Sequence, residues 1–207
     1  MRAPQRFTKE MVQIESIAPL FEGFFRMEEI RFRHPLFAGG ETELISREVF
    51  ERGDAVVVLA YDPQRDLVVL TEQFRVPAMR TSDNPWLLEL VAGIIELGEE
   101  PEQVARRELM EEAGLVAHSL TPIYSYLSSP GGSTERLYLF LAEVEAKAGE
   151  ALFGLAHEQE DIRRHLVPRE QALAWIEQGV IDNASTMLGL QWLALNHARR
   201  WGAEAGS

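Results

Sequence analysis

The chain has 207 residues, 46% apolar and 26% charged, which is ordinary for a folded globular protein and too apolar for a mainly disordered one. Its formal charge is 20 − 33 = −13, so the surface repels nucleic acid and anionic membrane, and neither is expected as a partner. There is no cysteine, which excludes disulfides, zinc–thiolate sites and thiol nucleophiles. The longest apolar run, Ala55 to Tyr61, is far short of the ~20 residues that cross a bilayer. The opening MRAPQRFTKE has no apolar core of a leader peptide. A cytoplasmic protein is expected, with one domain plus an extension or two small domains.

Residues 15–50 read as short strands. Phe24, Phe25, Met27, Ile30 and Phe32 roughly alternate with polar residues, as do Leu44, Ile45, Val49 and Phe50. Gly39-Gly40 between them reads as a hairpin turn. Apolar strands follow at Ala55–Tyr61 and Leu67–Leu70, joined by the turn-like Asp62-Pro63-Gln64-Arg65-Asp66. Trp86–Ile95 is a further apolar stretch. Pro101–Ala113 is a helix, with Pro101 at its first position and Gly114 at its cap. Strands are expected near Ile123–Leu127 and Leu137–Val144, then a long connection over 145–161 rich in acids. Helices at Arg169–Gln178 and Ser185–Arg200 close the pattern, and the tail after Trp201 is small and polar. Strands interleaved with helices specify a layered α/β domain, preceded by a β-rich subdomain. The boundaries are taken as 1–52 and 53–207.

The helix carries the chemistry. Ala105, Leu109 and Ala113 repeat at four-residue steps and make an apolar ridge. Glu108, Glu111 and Glu112 share the neighbouring face, where like charges destabilise a helix. Arg107 reaches Glu111 at i+4, but one guanidinium does not neutralise three acids. A hard divalent cation such as Mg²⁺ takes carboxylate, carbonyl and water oxygens. A solvated acidic face is the plainer alternative, and such faces are common.

The segment Gly93–Leu115, GIIELGEEPEQVARRELMEEAGL, decides between them. It has a Gly, five residues, a Glu, seven residues, then Arg-Glu-apolar-x-Glu-Glu-x-Gly-apolar. This resembles the box of Nudix hydrolases at every fixed position: Gly93, Glu99, Arg107, Glu108, Leu109, Glu111, Glu112, Gly114 and Leu115. The resemblance implies an α/β/α sandwich with a mixed sheet, here with a small N-terminal antiparallel β subdomain. It implies Glu108 and Glu112 as principal Mg²⁺ ligands (Mn²⁺ a possible substitute), with Glu111 in support. Arg107 and Glu99 would be structural, and the Ala92 carbonyl a further ligand.

Segments outside the box resemble the bacterial ADP-ribose pyrophosphatases of that superfamily: 23–40, 46–59, EQFR (72–75), PWLLELVAG (85–93), SPGGSTER (129–136), GLAHEQEDIR (154–163) and 182–195. That resemblance implies Mg²⁺-dependent hydrolysis of ADP-ribose to AMP and ribose 5-phosphate. Within it, Glu158 is the expected catalytic base and Glu160 a metal ligand, while His157 has no assigned role. Arg47, Arg52 and Arg75 are candidates for the diphosphate, because Arg binds phosphate oxygens two at a time. Surface pairing with acids such as Glu48 or Glu72 is their alternative. Phe24-Phe25 would meet adenine unless they pack as core. Ser129, Pro130 and Gly131, in a turn, and Glu135 would approach ribose, and Ile94 would touch substrate through its backbone. The resemblance also implies a homodimer with exchanged N-terminal strands. Two other readings stay open: hydrolysis of another nucleoside diphosphate sugar such as GDP-mannose, and a regulator that binds ADP-ribose without cleaving it.

Overall fold

The computed structural model describes residues 6–149, 151–155 and 159–202. The chain divides into two compact units, residues 1–53 with 127–135, and residues 54–126 with 136–207.

The first unit is an antiparallel sheet in the order β1 (Gln13–Glu22), β2 (Arg26–Arg33), β3 (Ile45–Glu51). Irregular register at Ile14/Ser16 and Pro19/Phe21 interrupts the period of β1. The hairpin turn forms at Gly39-Gly40, both with positive φ, where Leu36 N–H donates to the Gly40 carbonyl. The segment 127–135 joins β3 through Phe50 N–H to the Gly132 carbonyl and Thr134 N–H to the Phe50 carbonyl, at 2.8 and 3.2 Å.

The second unit is an eight-stranded mixed sheet between helices. Its strands are β4 (Ala55–Asp62), β5 (Leu67–Phe74), β6 (Trp86–Glu89), β7 (Val91–Ile94), β8 (Ser119–Leu127), β9 (Arg136–Glu143), β10 (Leu152–Phe153) and β11 (Ile162–Pro168). The order is β10-β11-β5-β4-β9-β8, with β6 on β5 and β7 on β4. β4 and β9 run parallel; β5 runs antiparallel to its neighbours β4, β6 and β11. The helices are α1 (Pro101–Ala113), α2 (Arg169–Glu177) and α3 (Ala184–Trp201). Together they make the α/β/α sandwich expected from the box.

The period of two in a strand explains the layering. Val56, Val58 and Ala60 of β4 pack with Val104, Ala105, Leu109 and Ala113 of α1. The alternate residues Val57, Leu59 and Tyr61 pack with Leu190 and Leu193 of α3 and Ala172 of α2. Every residue of β4 is buried, so the strand reads as a continuous apolar run rather than an alternating one.

Trp86–Ile95 does not form one strand. It pairs with β5 as far as Glu89 and with β4 from Val91 onward. The change of partner leaves the Leu90 N–H outside both ladders, and the buried Thr186 hydroxyl of α3 accepts it at 3.0 Å. Asn183 caps α3 by accepting from Thr186 N–H, while its amide donates to the Leu88 carbonyl at 2.8 Å.

Candidate functional site

The acid-bearing helix starts at Pro101 and ends at Gly114, whose left-handed φ of 63° brings its N–H to the carbonyls of Leu109 and Met110. The apolar ridge Ala105, Leu109 and Ala113 is fully buried. Packing the ridge rotates the neighbouring acids to different depths. Glu112 is 3% exposed, Glu108 is nearly buried and Glu111 is partly exposed. Arg107 lies against three carboxylates, 2.9 Å from Glu108, 3.3 Å from Glu99 and 3.5 Å from Glu111. Glu99 also accepts the Glu96 N–H at 2.9 Å, which ties the loop before α1 to the helix.

β7 runs beside this face. Ala92 N–H donates to Glu112 Oε2 at 3.2 Å. A β-carbon on Gly93 would collide with the Glu108 carboxylate, so glycine is required for the strand to pass that close. Burial pushes the Glu112 carboxyl up to about 8. The Ala92 N–H and Arg75 oppose that rise, while the negative charges of Glu108 and Glu160 add to it. The influence of Glu160 on Glu112 crosses from the 154–160 segment to the helix. Glu160 folds back on its own segment, its carboxylate accepting Leu155 N–H at 3.4 Å. Gly154, with φ of 102°, leaves no room for a β-carbon against Glu160.

Arg75, at the end of β5, donates through Nε to Glu89 Oε2 at 2.9 Å. Glu89 is a charged residue in the apolar run Trp86–Ile95, mostly buried, and burial pushes its carboxyl upward against the pull of Arg75. Sequence reasoning did not single out Glu89; a lone acid inside an apolar strand was the available signal. Glu72, weighed as a surface partner for Arg75, instead meets His165 at 2.8 Å.

In the first unit, the Arg52 guanidinium lies 5.3 Å from the Phe25 ring centre, and its Nε is 3.1 Å from the buried Glu135 as an ion pair without hydrogen-bond alignment. Phe25 meets Phe24 and Phe50 edge-on, at 4.7 and 5.2 Å between ring centres. Phe25 is thus packed, whereas Phe24 is 87% exposed. Arg47 donates to the Ser46 carbonyl at 2.7 Å, and Glu48 faces solvent on β3. The Ser129 carbonyl accepts the N–H groups of Gly132 and Ser133, closing the turn that holds Pro130 and Gly131. Ile94 is partly exposed at the end of β7. His157 and Glu158 lie outside the described residues.

Among the described residues no three acids or histidines are gathered at ligand spacing. The present partners explain this: Glu108 is held by Arg107, Glu112 by Ala92 N–H and Glu160 by Leu155 N–H. The donor chemistry still fits a hard divalent cation. All the donors are oxygens, and a positive charge beside Glu112 would favour its ionised form against burial and two neighbouring acids. A cleft of about 490 Å³ lies at the C-terminal end of α1, lined by Gly114, Phe153 and Arg164 among others, and holds none of these carboxylates.

The box on a loop–helix of an α/β/α sandwich defines a class, and the chain belongs to it: residues 51–188 match the NUDIX domain family. It is 52% identical over 194 residues to an ADP-ribose pyrophosphatase of Shigella flexneri, covering 94% of this chain and 93% of that one. A GDP-mannose pyrophosphatase of Cronobacter sakazakii is 39% identical over 158 residues, covering 75% and 81%. The fold is also that of a solved ADP compounds hydrolase, with a TM-score of 0.70, 18% identity, and coverage of 95% of this chain and 99% of the other.

Proposed function

We propose that the protein hydrolyses the diphosphate bond of ADP-ribose, releasing AMP and ribose 5-phosphate. The observation that carries this reading is the complete acid motif seated on α1, with Glu112 buried against β7 and influenced by Glu108 and Glu160. The substrate follows the higher identity and fuller coverage of the ADP-ribose pyrophosphatase relative over the GDP-mannose one. Mg²⁺, or Mn²⁺ in its place, supplies charge neutralisation of the diphosphate and a more acidic water when bound. Glu108, Glu112, Glu160 and the Ala92 carbonyl would hold it, with Glu111 in support. Glu158 takes the proton of the attacking water. Arg47, Arg52 and Arg75 bind diphosphate oxygens, and Glu48 contacts the substrate. Phe24 offers the exposed ring for adenine, backed by Phe25. Ser129, Pro130, Gly131 and Glu135 meet the ribose, and Ile94 meets substrate through its backbone.

The working form is a homodimer in this reading. β1 is exposed along its whole length and presents Ile14, Ile17, Leu20 and Phe21 to its surroundings, an apolar edge suited to a second copy of the chain. The absence of cysteine is compatible with a cytoplasmic setting. Incubation with ADP-ribose and Mg²⁺, followed by product analysis, tests the activity: AMP and ribose 5-phosphate are expected, and nucleotide bound but uncleaved would overturn it. A panel of nucleoside diphosphate sugars ranked by kcat/KM separates ADP-ribose from GDP-mannose. Light scattering near 23.4 kDa, the mass of one chain, would refute the dimer.

A further inference from the structure

We infer that Glu89 is a positioning residue that holds the Arg75 guanidinium by its Nε edge and so aims its terminal amino groups at the diphosphate. The inference rests on the proposed role of Arg75 as a diphosphate contact. Glu89 is the last residue of β6 and is fixed from several directions. It pairs with Thr71 of β5, and the Thr71 hydroxyl donates to the Glu89 carbonyl at 3.4 Å. The next N–H, that of Leu90, is held by the buried Thr186. Arg75 is anchored in turn by its own N–H to the Pro85 carbonyl at 2.8 Å.

Between these two pinned backbones, Glu89 Oε2 accepts only from Arg75 Nε, at 2.9 Å, among the contacts of the described residues. That geometry engages one edge of the planar guanidinium and leaves the Nη pair on the opposite edge, with 42% of the side chain exposed. The guanidinium is thus held at its Nε by the mostly buried acid of β6 while the rest of it stays open to solvent. Lysine has no such fork. It would satisfy either the acid or an anion, not both in fixed geometry.

Inorganic pyrophosphate titrated into the Mg²⁺-loaded protein is the primary probe, because it reads the anion contact whatever nucleotide sugar is turned over. Glu89→Gln, Arg75→Ala and Arg75→Lys are each expected to raise its Kd by about tenfold. The double variant Glu89→Gln/Arg75→Ala should bind no more weakly than Arg75→Ala alone, since both changes remove one contact. With ADP-ribose, Glu89→Gln should raise KM about tenfold and change kcat by less than about threefold. Additive losses in the double variant would overturn the inference. If Glu89→Gln does not fold, Arg75→Lys decides alone: pyrophosphate binding equal to wild type would overturn it. Failure of the wild-type protein to bind pyrophosphate would overturn it too, whereas failure to cleave ADP-ribose with pyrophosphate binding intact would count against the activity only.

Discussion

The Thr186 hydroxyl accepts the backbone N–H of Leu90 across 96 residues of chain. This bond sits where one apolar stretch leaves β5 for β4, and it attaches α3 to the strand that leads into the acid motif. Thr186→Val keeps the shape and removes the acceptor, leaving a buried N–H unsatisfied. A loss of about 1–3 kcal/mol in unfolding free energy is expected from denaturant titration, with Thr186→Ser losing clearly less. Equal losses in the two variants would mean that packing of the methyl group, not the hydrogen bond, matters here.

Gly93 is required by the approach of β7 to Glu108. Gly93→Ala should displace the Glu108 carboxylate and lower kcat/KM for ADP-ribose by about a hundredfold, the cost typical of a misplacement of about 1 Å. Circular dichroism should show an unchanged fold. An active Gly93→Ala protein would show that Glu108 is not needed at its present position.

Glu112 is costly to keep in the protein without cation. Burial and neighbouring acids oppose its charge, so Glu112→Gln removes an unfavourable ionisation while keeping an oxygen for Ala92 N–H. The expected outcome is a kcat lower by orders of magnitude, with a melting temperature in chelator equal to or above that of wild type. A sharply destabilised Glu112→Gln protein would assign the residue to the fold rather than to the chemistry.

Asp62 supplies a pH prediction remote from the acids of α1. It is 1% exposed and accepts N–H groups from Gln64, Arg65 and Ala146 at 2.9, 3.1 and 2.8 Å, plus the Arg65 guanidinium at 2.8 Å. Burial acts to raise its carboxyl, but these donors prevail and hold it below the ordinary aspartate range. A lowered folded-state value stabilises the protein above the unfolded value, and that contribution is lost as pH falls through the folded one. Wild-type stability should therefore decline below about pH 4 in a limb that flattens in Asp62→Asn. Parallel acid limbs in the two proteins would exclude Asp62 as a source.

Much of this was legible in the residues because the signals were local. The α1 range is the one expected from Pro101, the apolar ridge and Gly114, since initiation, face and cap all lie within fourteen residues. The depth of each acid was not legible. Glu111 and Glu112 are adjacent and equal as letters, and only the fit of the ridge against β4 and β7 buries one and leaves the other partly exposed. The split of Trp86–Ile95 was hidden for a similar reason: its partners, β4 and β5, lie outside any window that hydrophobic periodicity can read. The role of Glu89 is not legible locally because its partner Arg75 is fourteen residues away, across the loop that joins β5 to β6. The bounds of β1 are not legible in the residues, because its irregular register breaks the alternation.

The division of β4 between two cores has a consequence for errors of assembly. Sliding this strand by one residue along β9 would present Val57, Leu59 and Tyr61 to the helix that now receives Val56, Val58 and Ala60, and the reverse on the other side. The Tyr61 ring would have to enter the space of an alanine methyl. Mispairing is thus penalised in both layers at once, and the strand that carries the molecule's two hydrophobic faces also serves as its ruler.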